Sequence, residues 1–293
     1  MSEQYREKST EIDSVLPPVA KLLEDKPSKH RFTDLDGNLQ VLEFRELANE
    51  DPYPIPRPVD REGYGAIEFS HQHWATGHGD WLNVQDAMAR YLPNKATRLL
   101  DFGCATGRFL RHVMTFGEIE AHGCDFAPAN VNWVKRHLPK EMQVILNTAN
   151  PGLPYDDDYF DVVTAFSVFT HIDERETQWL TELKRITKPD GLLYITIQNE
   201  ATWDAVLEHP SALAHMQNAS ISPGDLTVTK ELFEKPMPTN RLVVRKSDAP
   251  IYNCSVWHSS QYIRDNWSQQ FEILKFADTA HNRYQSVVIA KLP

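Results

Sequence analysis

The sequence is short of cysteine, of long apolar runs and of positive charge, and each shortage removes a class of function. Its three cysteines, Cys104, Cys124 and Cys254, have no C-x-x-C spacing among 293 residues. That sets aside a disulfide framework and a structural zinc site, and predicts reduced, mostly buried thiols. No apolar run approaches the roughly 18 residues of a membrane span, and the polar start from Met1 to Asp13 lacks the apolar stretch of a secretory signal. A cytoplasmic protein is the expectation. A formal charge of −11 repels phosphate backbones, so neither nucleic acid nor membrane is an expected partner. The basic stretch Arg241 to Lys246 alternates with apolar residues and reads as the solvated face of a strand. There is no internal repeat. What is present, 41% hydrophobic and 24% charged residues, is the composition of a soluble globular enzyme.

Residues 1–94 read as an N-terminal extension. Pro17, Pro18, Pro27, Pro52, Pro54, Pro56 and Pro58 interrupt any continuous helix or central strand near its start. A small hairpin is expected around Asp36-Gly37, and a lid or cap helix from Trp81 to Tyr91, where Leu82, Val84, Ala87, Met88 and Tyr91 keep helical spacing. Residues 95–293 then alternate strand and helix. Strands are predicted at 98–102, 120–125, 143–146, 160–166 and 192–197, with helices at 108–116, 128–138 and 174–186. This rhythm predicts a parallel sheet in an α/β fold, with ligands beyond the carboxyl ends of the strands. The last two strands, 271–276 and 284–290, are too close for a parallel crossover and must be antiparallel. Residues 199–257 form an insertion long enough for a substrate cap. Most of its aromatics, Trp203, Phe233, Tyr252 and Trp257, are expected to pack the cap onto the sheet.

The chemistry concentrates after the first strand, in Asp101-Phe102-Gly103-Cys104-Ala105-Thr106-Gly107. Gly103 and Gly107 permit a tight turn against a ligand, and the following helix start offers unpaired N–H groups. Asp101 is suited to a ligand ammonium group, whereas a pyrophosphate there would be repelled. Asp125 ends the second strand, spaced either to grip both hydroxyls of a ribose or to cap the next helix. Phe126 is placed to lie against an adenine.

These residues resemble the class I S-adenosylmethionine-dependent methyltransferase family. Asp101 to Gly107 is similar to its first motif and Gly123-Cys124-Asp125 to its acidic second one. Asn150 to Tyr155 with Phe160 to Val163, and Leu183 to Gly191, are similar to later segments in the right order. The resemblance implies a Rossmann-like sheet of seven mostly parallel strands with an antiparallel final strand, helices on both faces, and S-adenosyl-L-methionine as cofactor. It implies that Asp101, Gly103 and Gly107 contact the methionine moiety, Asp125 the ribose, Asn150 the adenine edge, and Phe166 the region near the sulfonium. Ala105 stands where the family commonly has a third glycine, also beside the cofactor, and is expected to be accepted because the turn does not itself demand a positive φ. Asp190 replaces a common glycine before Gly191.

Methyl transfer from a sulfonium needs alignment and exclusion of water more than acid–base chemistry. A hydroxyl acceptor is helped by a base, and His171, after the fourth strand, and His258, at the end of the insertion, are the catalytic candidates. His71, His73 and His78 sit in a Trp- and Gly-containing segment read as a loop and lack ligand spacing, so no metal is expected. The expected acceptor is a small molecule or glycan, methylated at oxygen or nitrogen. The competing readings are a cofactor-binding partner protein without catalysis and an NAD-type oxidoreductase.

Overall fold

The computed structural model describes residues 15–23, 26–61, 67–216, 219–222, 226–245 and 254–293. The chain divides into two compact units, one from residues 1–32, 39–90 and 94–149, the other from 33–38, 91–93 and 150–293.

In the first unit a long helix, α1 (Ser70–Tyr91), is followed by strand β1 (Arg98–Phe102), helix α2 (Leu110–Phe116), β2 (Glu120–Asp125), α3 (Pro128–His137) and β3 (Gln143–Leu146). The strands pair in parallel, with Asp101 opposite Gly123 and Phe102 opposite Cys124, then Asp125 opposite Leu146. α1 begins eleven residues before the Trp81 start that periodicity predicts. His71, His73 and His78 therefore lie on a helix rather than a loop. Gly77 and Gly79 lower helix propensity and hide this stretch from sequence reading, but packing overrides it. A Cβ at Gly77 would stand 2.4 Å from the Arg108 carbonyl oxygen, so glycine is what lets α1 lie against the entry to α2. Trp74, Trp81, Val84 and Ala87 form the buried seam of α1.

A buried ion pair meets this seam at Trp74. Asp51 accepts from Trp74 Nε1 at 2.7 Å and from Arg111 Nε and Nη2 at 2.7 and 2.9 Å, and both charged side chains are fully buried. His78 and His112 face each other with their Nδ1 atoms 3.3 Å apart, and burial lowers the affinity of both imidazoles for protons, that of His78 to about 4.

The second unit carries β4 (Phe160–Ala165), α4 (Glu176–Ile186), β5 (Thr187–Ile197), α5 (Glu200–Ala205), α6 (Ser260–Asn266), β6 (Glu272–His281) and β7 (Gln285–Lys291). β4 and β5 are parallel, while β7 is antiparallel to β5 and to β6. α4 buries Trp179, Leu180, Leu183 and Ile186 at helical spacing, and β5 starts at Thr187, earlier than its apolar run suggests. Asp190 takes a φ of +60° at its turn. The seven strands are ordered β3-β2-β1-β4-β5-β7-β6, the Rossmann-like arrangement with an antiparallel final strand. The Asp36-Gly37 hairpin also forms, between strands Lys29–Thr33 and Leu39–Glu43.

The insertion builds a layer of its own. Strands Leu226–Thr227, Ser220–Ser222, Arg241–Arg245 and Cys254–His258 make a four-stranded antiparallel sheet in that order. Trp203, Phe233 and Trp257 join its hydrophobic core with Met216, Ile221 and Leu242, whereas Tyr252 lies outside the described residues. Arg241 to Arg245 is a strand as expected, but its arginines are not a solvated face. Arg241 pairs with Asp173 and Glu176, and Arg245 pairs with Asp173, while Lys246 is outside the described residues. All three cysteines are free and buried. Among the described residues no helix is long and apolar enough to cross a membrane.

Candidate functional site

At the end of β1 the backbone turns on itself. The amides of Gly103 and Cys104 both donate to the Cys124 carbonyl, at 2.9 and 3.0 Å, and Gly107 N–H closes on Cys104 at 2.9 Å. Gly103, Ala105 and Gly107 all have positive φ, at 78°, 47° and 75°. The expectation for Ala105 is thus corrected, since its position does demand the left-handed region, which an L-residue enters at a cost. The geometry needs it because alternate residues must reverse the chain within five positions. At Gly107 the positive φ favours glycine, and a Cβ would also crowd Leu138 Cδ1 at 2.6 Å, so that the leucine side chain would have to shift.

Asp125 ties this crook to β2. Its Oδ2 accepts from Ala105 N–H at 2.8 Å, and its Oδ1 accepts from Ala127 N–H at 2.8 Å and from Asn130 Nδ2 at 3.2 Å. The cap of α3 is Ala127, with no side-chain cap bond, so Asp125 is not its N-cap. It is a buried carboxylate fixing two loops at once. Asp101, one strand over, is equally buried, at 2% exposure. Phe126 is 40% exposed directly after Asp125. Arg108, which follows the crook, pairs with buried Asp80 of α1 at 2.6 Å. Sequence reading missed this pair, because nothing in the spacing of residues 80 and 108 marks them as partners. The buried Cys104 thiol is pushed up by its burial and by the negative charges of Asp125 and Asp101, which leaves it inert. The structure thus brings Asp101, Gly103, Ala105, Gly107 and Asp125 together at the ends of two adjacent strands, with Phe126 beside them.

The remaining candidates belong to the second unit. Asn150 is exposed. Phe166, just past β4, is 9% exposed, with its ring centroid 5.6 Å from that of Tyr194 and 5.3 Å from that of His281. After it the loop docks on the insertion. Val256 N–H donates to Thr170 O at 2.7 Å, and His171 Nδ1 lies 2.6 Å from the Cys254 carbonyl oxygen. A carbonyl only accepts, so Nδ1 carries the proton.

His258 has a different environment and a different task from the catalytic one expected of it. It is fully buried, with Nε2 2.9 Å from Glu176 Oε2. Glu176 also accepts from Arg241 Nε at 2.9 Å and Trp267 Nε1 at 2.8 Å. Burial pushes the Glu176 carboxyl up, but His258 and Arg241 outweigh it and hold it at about 2. An imidazole so enclosed locks the insertion to α4 and has no open face for an acceptor. Glu200, another acid near the insertion, is likewise engaged, accepting from Ser260 N and Oγ at 3.0 Å.

Comparison with known proteins agrees with this geometry. Residues 100–195 match a family model described as a methyltransferase domain, a stretch that runs from β1 through most of β5. The chain carries a class I S-adenosylmethionine-dependent methyltransferase domain. The chain is 33% identical over 96 residues to a malonyl-[acyl-carrier protein] O-methyltransferase of Halorhodospira halophila, a match covering 32% of each protein. It is 27% identical over 150 residues to an O-methyltransferase of Aspergillus nomiae, covering 50% of this chain and 59% of that one. These matches span 32% and 59% of the two curated relatives, less than two thirds of either. A solved structure, the PH0226 protein of Pyrococcus horikoshii OT3, shares the fold with a TM-score of 0.50 at 16% identity, over 78% of this chain and 92% of that one.

The donor set at β1 and β2 fits this cofactor. Two buried carboxylates suit a ligand with an ammonium group, a ribose diol and a cationic sulfur, and would oppose a pyrophosphate.

Proposed function

We propose that this chain transfers a methyl group from S-adenosylmethionine to an oxygen or nitrogen of a small-molecule or glycan acceptor. The observation that carries the reading is the Asp125 carboxylate, which clamps the Ala105 amide at 2.8 Å beside the buried Asp101. In this reading Asp101, Gly103, Ala105 and Gly107 receive the methionine moiety, Asp125 the ribose, Phe126 and Asn150 the adenine, and Phe166 the sulfonium region. Bound there, the cofactor supplies a methyl group on a good leaving group.

The chain's own part is to orient the acceptor, exclude water and move one proton. His171 is the base of this proposal. Its Nε2 takes the acceptor proton while Nδ1–H, donated to the Cys254 carbonyl, fixes the ring and stabilises the imidazolium. The buried cluster of Glu176, His258, Arg241 and Trp267 holds the insertion, and with it Cys254, in place. Residues 199–257 then act as a substrate cap, and α1 of the 1–94 extension as a cover over the crook.

Titration calorimetry with S-adenosylhomocysteine and with NAD tests the cofactor reading, and product formation from labelled S-adenosylmethionine on an acceptor panel tests catalysis. Binding of NAD in preference would sink the proposal. Tight cofactor binding with no product on any acceptor class, RNA included, would favour the partner-protein reading.

A further inference from the structure

Strained backbone gathers where the sheet meets the loop that carries His171. Seven non-glycine residues among those described have positive φ, and four of them, Ser167, Thr279, Asn282 and Arg283, stand on the loop after β4 or on the β6–β7 hairpin. Asparagine enters that region readily, whereas serine, threonine and arginine do so at a cost. Such residues persist where their surroundings over-determine them, and they collect at functional sites.

Ser167, with a φ of +57°, is held by a closed ring of hydrogen bonds. Its N–H donates to the Thr196 hydroxyl, Oγ1, at 2.7 Å, and its own Oγ donates to Gln285 Oε1 at 2.9 Å. Thr196 Oγ1, having accepted from Ser167, sends its proton to the same Gln285 oxygen, also at 2.9 Å. Each hydroxyl has one proton to give, and both are used. Thr196 is fully buried on β5. Gln285 opens β7 opposite His281, at a turn closed by Tyr284 N–H on His281 O at 3.0 Å. The ring therefore ties the loop to two strands at once.

The chain is anchored on both sides of this joint. Before it, Ala165 pairs with Ile195 in the sheet. After it, Phe169 is fully buried with its ring centroid 5.3 Å from that of Trp267, and Thr170 O accepts from Val256 N–H. Between these anchors Ser167 sets the direction of the chain, and His171 N–H closes on Val168 O at 2.9 Å. Relaxation of Ser167 to a negative φ would swing Val168, and with it the turn that brings His171 Nδ1 to the Cys254 carbonyl.

We propose that Ser167, locked by Thr196 and Gln285, is a positioning residue that fixes Phe166 and His171 relative to one another and keeps His171 in its Nδ1–H form. That it positions a base rests on the methyl-transfer reading, whereas the lock itself does not.

NMR of the histidine ring nitrogens in the full chain tests it, with the His171 signals assigned by their loss in His171→Ala. The wild-type ring should be held as Nδ1–H. Thr196→Val keeps the shape of the side chain but leaves the Ser167 amide without its acceptor. It should move the tautomer ratio toward Nε2–H about fivefold or more, the scale of one hydrogen bond. Gln285→Met should act in the same direction, and serves if Thr196→Val folds poorly. Thr196→Ser keeps the hydroxyl and gives up a buried methyl, so its melting temperature should fall while its tautomer ratio stays at the wild-type value. A merely structural role would make the ratio follow melting temperature instead. On any acceptor that is turned over, Thr196→Val should lower kcat about tenfold or more, with the KM for S-adenosylmethionine within about twofold. A ratio that holds in both Thr196→Val and Gln285→Met, or that shifts equally in Thr196→Ser, overturns the lock, and an unchanged kcat overturns its part in catalysis. If S-adenosylhomocysteine does not bind the wild-type chain while the ratio still follows the hydroxyl, the methyl-transfer reading falls and the lock stands.

Discussion

At the carboxyl ends of β1 and β2 the chemistry is carried by backbone. Three positive φ angles within five residues shape the crook, and both oxygens of Asp125 are spent on main-chain amides. At the ends of β4 and β5 it is carried by side chains gathered from far apart, with His171 on Cys254, Ser167 on Gln285 and Glu176 on His258. The first region is local in sequence, so its parts are correct only together and read as a motif. The second depends on contacts as distant as 118 residues, and tolerates change at each point as long as the contact survives.

That contrast governs how much was legible. Asp101, Gly103, Gly107 and Asp125 were readable because glycine and acid are the residues such a turn demands, and the antiparallel β6–β7 pair was readable from its short connection. The left-handed φ of Ala105 was not, because alanine gives no sign of it. The first half of α1 was hidden by Gly77 and Gly79, whose reason is the distant Arg108 carbonyl. His258 looked like a base from its position alone. The Glu176, Arg241 and Trp267 side chains that enclose it are brought there only by the fold.

The sharpest way to separate the two regions is to remove His171. His171→Ala should lower turnover about 10²–10⁴-fold while cofactor affinity holds, whereas His258→Ala should act first on stability. Steady-state rates beside calorimetry on both variants would show it. Near-normal turnover in His171→Ala would mean that catalysis rests on alignment alone.

A second contrast lies between two ion pairs. Asp51→Ala strands the fully buried Arg111 guanidinium and should cost about 3–5 kcal/mol in urea unfolding. Asp173→Ala, whose partners Arg241 and Arg245 are part-exposed at 21% and 35%, should cost far less, about 1 kcal/mol or under. Equal losses would show that burial does not distinguish the two.

Asp125→Ala frees the Ala105 and Ala127 amides and removes a charged acceptor. S-adenosylhomocysteine affinity should fall at least tenfold, the scale of about 1.5–3 kcal/mol for hydrogen bonds to a charged group. Unchanged affinity in calorimetry would reduce Asp125 to a loop clamp.

The buried histidines of α1 and α2 give the first unit a pH dependence of its own. His78 has a folded value of about 4 against an ordinary 6.5, so between those values the unfolded chain binds the extra proton and stability falls as pH falls. The loss from this group should reach at most about 1.4 kcal/mol per pH unit. His78→Phe should flatten that limb in denaturation curves taken from pH 7 to 4. Glu176 works over another window, with its folded value near 2. Its contribution is whole above about 4.5 and is lost only as pH falls toward 2.

The smallest expected effect tests the backbone account most directly. Ala105 holds a φ of +47°, and an alanine in the left-handed region costs about 1–2 kcal/mol that glycine does not incur. Glycine at the same place also gives the unfolded chain more freedom, which takes back about 0.4–1 kcal/mol. The difference leaves Ala105→Gly more stable by about 0.5–1 kcal/mol, with cofactor affinity unchanged because the Ala105 amide still donates to Asp125. A rise of a few degrees or less in melting temperature is the expected reading. A fall would show that the alanine methyl packs usefully against its neighbours, so that this crook, like the β4 end, is built partly from side chains.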